Sequence, residues 1–150
     1  MEGISADWIL RDISDAVTIK FFVLLNQVFL GALTSTEIKL YHYQLSTSTF
    51  KFAQSIPVQD GISFTIMETQ HSIYLVVLEK FSGHYFGVSS RMYMYDPTRL
   101  SGGVFHTYQP IYFKVYDPSA VTSFDIYGKH YLAVVNRKNK GELKLKPGYC

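Results

Sequence analysis

The chain has 150 residues and a formal net charge of +2, and its 47% apolar against 17% charged residues excludes an intrinsically disordered polymer. Twelve Tyr and eleven Phe favour half-buried pleated sheet, where aromatic side chains pack well. The one cysteine, Cys150, excludes an internal disulfide framework, and the charge is split: five Lys/Arg against eight Asp/Glu over residues 1–80, nine against four over 81–150.

The first apolar stretch, Phe21 to Leu33, is too short for a spanning helix, which needs about 20 residues. Asp7, Asp12 and Asp15 precede it where a secretory leader would be basic. If the native protein is secreted, its signal lies upstream and the chain is a fragment. Within this stretch Ala16, Val17 and Thr18 open a strand that turns at Asn26 and Gln27 and returns through Phe29, Leu30, Gly31 and Ala32. A second hairpin follows 45 residues on: Gly61, Ile62 and Ser63 open it, Gln70, His71 and Ser72 turn it, and Tyr74 to Val77 close it. The third opens with Ala120, Val121 and Thr122, turns at Gly128 and Lys129, and returns through Tyr131 to Asn136, with offsets of 59 at the opening and 57 at the aromatic-Leu pair.

The segments between hairpins repeat as well. The run from Ile38 to Tyr43 is answered by Ser90 to Tyr95, and Phe50, Gln54 and Ile56 are answered by Phe105, Gln109 and Ile111, with polar turn residues in between. Four short strands in about 50 residues is the pattern of a β-propeller blade. The expected fold is all-β, built of antiparallel four-stranded blades in a partial, open propeller. The chain is read as a single repeat domain over 1–150, with a partial blade at 8–34, blades at 38–79 and 90–136, and the start of another at 141–146. Leu30, Leu75 and Leu132 share one position of the repeat and are expected in the core, with Asn26 and Gly128 exposed at hairpin tips. Glu142 to Lys146 alternates Leu with charge and is expected to form a terminal half-buried strand.

With those landmarks placed, the unit resembles the EAR repeat, also called EPTP. The residues that carry the resemblance are the leading aromatic with its Gln and aliphatic residue, the small residue opening the third strand (Ala16, Gly61, Ala120) and the closing aromatic-Leu strand. Tyr131 to Asn136 matches the family's ending best, while Thr34 and Glu79 stand where Asn is usual. The resemblance implies a seven-bladed propeller, a secreted or extracellular location, and protein binding without catalysis. Three units cannot close such a ring, so the chain is a fragment, a divergent short member, or a piece that copies complete by association.

No catalytic motif is present: there is no Gly-x-Ser-x-Gly, no His-Glu-x-x-His, no phosphate-cradling glycine loop and no paired-cysteine knuckle. His42, His71, His84, His106 and His130 have no metal-site spacing. The Tyr-Asp-Pro triplets at 95–97 and 116–118 read as turn starters, one carboxylate per loop being too few for calcium. The basic tail (Arg137, Lys138, Lys140, Lys144, Lys146) reads as a solvated edge, and no nucleic-acid partner is expected. No cofactor, metal or membrane span is expected either. Tyr41, Tyr43, Tyr93 and Tyr95 alternate with Leu40, His42, Met92 and Met94. The favoured reading of these tyrosines is packing between blades; the functional one is a surface that binds a protein partner, such as a cell-surface receptor. The leading function is a non-enzymatic extracellular interaction module. The alternative is a structural self-assembling β-repeat protein that associates through open sheet edges.

Overall fold

The computed structural model describes residues 15–79, 88–98, 104–107, 111–115, 118–136 and 143–147. Expectations placed on 8–14 and 137–142, and on His84, Gln109, Asp117 and Cys150, lie outside the described residues. Every regular element among these is a strand: β1 (Thr18–Leu24), β2 (Gln27–Leu33), β3 (Glu37–Gln44), β4 (Thr49–Pro57), β5 (Gly61–Glu68), β6 (Ile73–Glu79), β7 (Val88–Asp96), β8 (Val104–Phe105), β9 (Ile111–Val115), β10 (Pro118–Ile126), β11 (Lys129–Asn136) and β12 (Leu143–Pro147). All pairings are antiparallel. The first sheet runs β1-β2-β3-β4, the second runs β5-β6-β7 with β9 and the short β8 both on β7, and the third runs β10-β11-β12. The protein is all-β and antiparallel, and none of these sheets closes into a barrel.

The three hairpins form where the repeat places them. Two close through two-residue loops, Leu25-Asn26 and Tyr127-Gly128, whose φ angles are 48° and 64° in the first and 48° and 78° in the second. Positive φ at both central residues makes the turn twist with the strands it joins. The first and third turns thus sit one residue earlier than expected, and Gln27 and Lys129 already belong to β2 and β11. The middle hairpin has a four-residue loop instead, closed by the Thr69 amide donating to the Ser72 carbonyl at 2.8 Å and by the Ser72 amide donating to Thr69 Oγ1 at 3.0 Å.

The pairing register carries the repeat further than the sequence did. Phe21 faces Leu30, Ile66 faces Leu75, and Ser123 faces Leu132. Advancing β5–β6 by 57 residues lays it on β10–β11 pair by pair, including the irregularity between Gly61 and Ser63, which reappears between Pro118 and Ala120. The 59-residue offset at the third opening is therefore corrected to 57. Pro118 holds the place of Gly61, and Ala120 holds that of Ser63. Leu30, Leu75 and Leu132 are buried as expected, and Asn26 and Gly128 are exposed.

Sheet boundaries fall out of phase with the sequence units. Strands β3 and β4 complete the first sheet whereas β5 and β6 begin the second, so residues 38–79 straddle two sheets, and 90–136 do the same. The link between β4 and β5 is bonded back to the β2–β3 turn, the Val58 amide donating to the Thr36 carbonyl at 2.9 Å. Gly61 makes that close approach possible, because a Cβ there would stand 2.7 Å from the Thr34 carbonyl oxygen.

The sheets stack face on face. Between the first and second, Phe29, Leu33, Ile38 and Leu40 meet Phe64, Leu75, Val77 and Tyr93 in one core. Between the second and third, Met67, Tyr74, Val76 and Leu78 meet Val121, Leu132 and Val134 in another. The middle sheet is covered on both faces, so β6 is an unbroken buried run from Tyr74 to Glu79. By contrast β1 alternates strictly, with Ile19, Phe21 and Val23 in solvent. Each buried Leu or Phe contributes roughly 1.5–3 kcal/mol, and these two interfaces supply most of the apolar burial.

Candidate functional site

The four tyrosines expected on a candidate surface lie on β3 and β7, and the fold packs them. Tyr41, Tyr93 and Tyr95 are buried and Tyr43 is half-buried. Tyr41 stands opposite Leu30 and Tyr93 opposite Leu75, the same site in two sheets. Their rings meet other rings: Tyr43 and Phe50 at 5.1 Å, Tyr95 and Phe105 at 5.2 Å, and Tyr95 edge-on to Phe29 at 6.4 Å. Burial, and then the neighbouring Asp96 charge, raises the Tyr95 phenol above its usual value. An exposed surface built on all four would need rings that this packing takes out of water.

A different group of side chains is presented at the hairpin tips. Register places Leu25, Gln70 and Tyr127 at one position of the repeat. Contacts between sheets keep that alignment: the Phe29 ring near one tip meets Tyr95 beside the next, and mid-hairpin Gly31 lies under Phe64. The tips therefore point to the same end of the stack. Leu25 is 58% exposed and Tyr127 is fully exposed, and both are bulky residues held at φ 48°. Positive φ at both loop residues is what a two-residue hairpin turn requires, and at Leu25 and Tyr127 it comes with a bulky side chain held in solvent. Sequence reading missed both residues. Leu25 was hidden in an apolar run and Tyr127 in a strand pattern, and the available signal was the turn former next to each.

The polar groups tie sheets together. Glu79, almost fully buried, is gripped by Arg91, whose Nε donates to Oε2 at 2.9 Å while Nη2 contacts Oε1, and the Gln59 amide donates to Oε1 at 2.9 Å. Arg91 Nη2 also donates to the Pro57 carbonyl at 3.1 Å, reaching the first sheet. Gln54 engages the Phe105 backbone twice, Nε2 donating to its carbonyl at 2.8 Å and Oε1 accepting from its amide at 2.9 Å. Lys20 Nζ donates to the Phe64 carbonyl at 2.5 Å beneath a cleft of about 230 Å³ between β1 and β5, and burial lowers its pKa. Ser123 Oγ donates to the Ile66 carbonyl at 2.6 Å, linking the second and third sheets.

The histidines scatter. His42 packs on Phe29, His71 lies exposed in the middle hairpin loop, His106 faces Asp96 at 3.3 Å, and His130 contacts Asp125 at 2.6 Å. Asp96 accepts from the Thr98 amide at 2.9 Å and from its hydroxyl at 2.6 Å, so this Asp-Pro acts as a turn former. Among the described residues no three His, Cys, Asp or Glu side chains come together as metal ligands. No helix among them is long and apolar enough to cross a membrane.

No family model matches the chain, and no curated protein matches it.

Proposed function

We propose that the chain is a non-catalytic protein-interaction module whose three sheets act as blades of an open, EAR/EPTP-like propeller, working outside the cell and presenting its hairpin tips to a protein partner. The observation that carries this reading is the repetition of the inter-sheet contact. The positions at which the second sheet packs on the first are those at which the third packs on the second: Phe64, Leu75 and Val77 in one, Val121, Leu132 and Val134 in the other. A scaffold that reuses one contact fixes equivalent loops side by side, as repeat proteins do at their binding surfaces. The extracellular location follows from the resemblance of the repeat.

The test is a binding screen against a panel of recombinant cell-surface ectodomains. Saturable binding to one of them, weakened about tenfold or more by Leu25→Ser with Tyr127→Ser while the fold is retained, is expected of hot-spot side chains. Binding that ignores the tips, or no binding at all, counts against the reading. The structural, self-assembling alternative is favoured by one specific observation: β1 is an edge strand, and its Ile19, Phe21 and Val23 are 43%, 64% and 60% exposed.

A further inference from the structure

Every face of the stack that meets another sheet is one of two kinds. The forward kind is the face that the second sheet turns to the first, carrying Phe64, Leu75, Val77 and Tyr93, and that the third turns to the second, carrying Val121, Leu132 and Val134. The rear kind is the face that receives it: Phe22, Phe29 and Leu33 on the first sheet, then Met67, Tyr74 and Leu78 on the second. Register equates the members of each set across sheets.

Two faces remain. The forward face of the first sheet holds Leu30, Ala32, Tyr41 and Phe50, the counterparts of Leu75, Val77, Tyr93 and Phe105; all four are buried, and the Phe21 ring lies 5.8 Å from that of Phe50. Ile19 and Phe21 stand where Phe64 and Ile66 stand in the second sheet. Phe64 is fully buried, whereas Ile19 and Phe21 are 43% and 64% exposed. The rear face of the third sheet holds Phe124, Tyr131, Ala133 and Val135. Its Phe124 and Tyr131 rings stack at 5.5 Å and 13°, reproducing the Phe22 and Phe29 pair, which stacks at 5.5 Å and 5° within the first interface. On that rear face Ile126 and Val135 are 44% and 39% exposed.

We infer that these two faces bind each other between copies of this chain through their exposed apolar side chains, the rear of one copy's third sheet docking on the forward face of the next copy's first sheet. The occupant is present in the molecule itself, because the rear face carries the aromatic pair that the internal interface already uses. In that arrangement Tyr131 takes the role of Phe29 against the next copy's Tyr43, which holds the place of Tyr95. Ala133 takes the role of Gly31, the small site over which Phe64 lies, and meets Ile19. The contact is heterologous, since two different patches meet, so it propagates head to tail until it closes into a ring or extends as a filament. This inference rests on the stacked-repeat reading of the sheets and is independent of whether the hairpin tips bind a partner.

Complementation between variants tests it. Sedimentation velocity of the unaltered chain is expected to show a mass that rises with concentration above the 17.2 kDa monomer. Phe21→Asp blocks the forward face and Val135→Lys the rear, at side chains that are 64% and 39% exposed. Each variant alone is expected to stay monomeric, and the two mixed to give a species of twice the monomer mass and nothing larger, since the mixture retains one intact pair of faces. Circular dichroism and a melting curve establish that each variant folds, and Val23→Asp or Ile126→Lys replaces one that does not. A monomeric parent chain, continued association of either variant alone, or a mixture that stays monomeric overturns the inference. Continued association would point instead to pairing of strand edges, which these substitutions leave free.

Discussion

Glu79 shows how one side chain can join two sheets. It ends β6, its carboxylate accepts from Arg91 and from the Gln59 amide, and its own amide is bonded by the Ser90 hydroxyl oxygen at 3.2 Å. The same repeat position in the first sheet is Thr34, whose hydroxyl accepts from the Thr36 amide at 3.2 Å and the Glu37 amide at 3.1 Å and donates to the Glu37 carbonyl at 3.0 Å. Both residues satisfy backbone groups where a hairpin ends and the chain leaves for its next strand, which is the shared demand behind different chemistry. Removing Glu79 leaves the Arg91 guanidinium facing a protein wall without its carboxylate. Because Arg91 is still about one-quarter exposed, the loss sits below that of a fully buried pair: Glu79→Ala is expected to cost about 2–3 kcal/mol. Replacing both partners, as in Glu79→Met with Arg91→Met, should cost less than the single change, and urea unfolding of the two variants measures the difference.

Among the elements, the hairpins carry their strain at the tips. A non-glycine residue in the left-handed region costs roughly 1 kcal/mol, less for Asn, whose side chain bonds locally. Tyr127→Asn is therefore expected to raise stability by about 0.5–1 kcal/mol in thermal unfolding, and on the proposed role it lowers partner binding at the same time. A loss of stability would mean that the Tyr127 ring supports the hairpin, contrary to its full exposure. The hairpins were legible in the sequence because a period of two flanking a turn former is a local signal, and the Leu30, Leu75 and Leu132 core position followed from it. Where one sheet ends and the next begins was not legible. A repeating sequence has no marked origin, and only the bonding of Val58 and Gly61 back to the β2–β3 turn fixes the cut at the β4–β5 link. Which face of a tyrosine strand is inside was not legible for a related reason: in the middle sheet, covered on both faces, alternation separates two interiors rather than inside from outside, as buried Met92 and Tyr93 on adjacent positions of β7 show.

At the scale of the whole molecule, the stack is a short linear array in which stability depends on neighbours. Among the described residues the middle sheet has two interfaces and each outer sheet has one, so in a nearest-neighbour description the outer sheets open at lower free energy than the centre. The residue pattern agrees: six consecutive positions of β6 are buried, while β1 alternates and β10 ends on two exposed positions, Asp125 and Ile126, that run on into the exposed turn Tyr127-Gly128. Amide hydrogen exchange of the dilute protein is the direct reading of this difference. The amides of β6 that bond to β5 and β7 are expected to exchange slowest, and the β1–β2 pair faster by at least about tenfold, which corresponds to 1.4 kcal/mol of local stability. Raising the protein concentration separates local fraying from docking between copies. If the forward face of the first sheet is covered by a second copy, protection of β1 and β2 should rise with concentration while that of β6 stays unchanged, and Phe21→Asp should abolish the rise. Uniform exchange across the three sheets, already at low concentration, would mean that the chain unfolds as a single cooperative unit and that the outer faces contribute no separate stability.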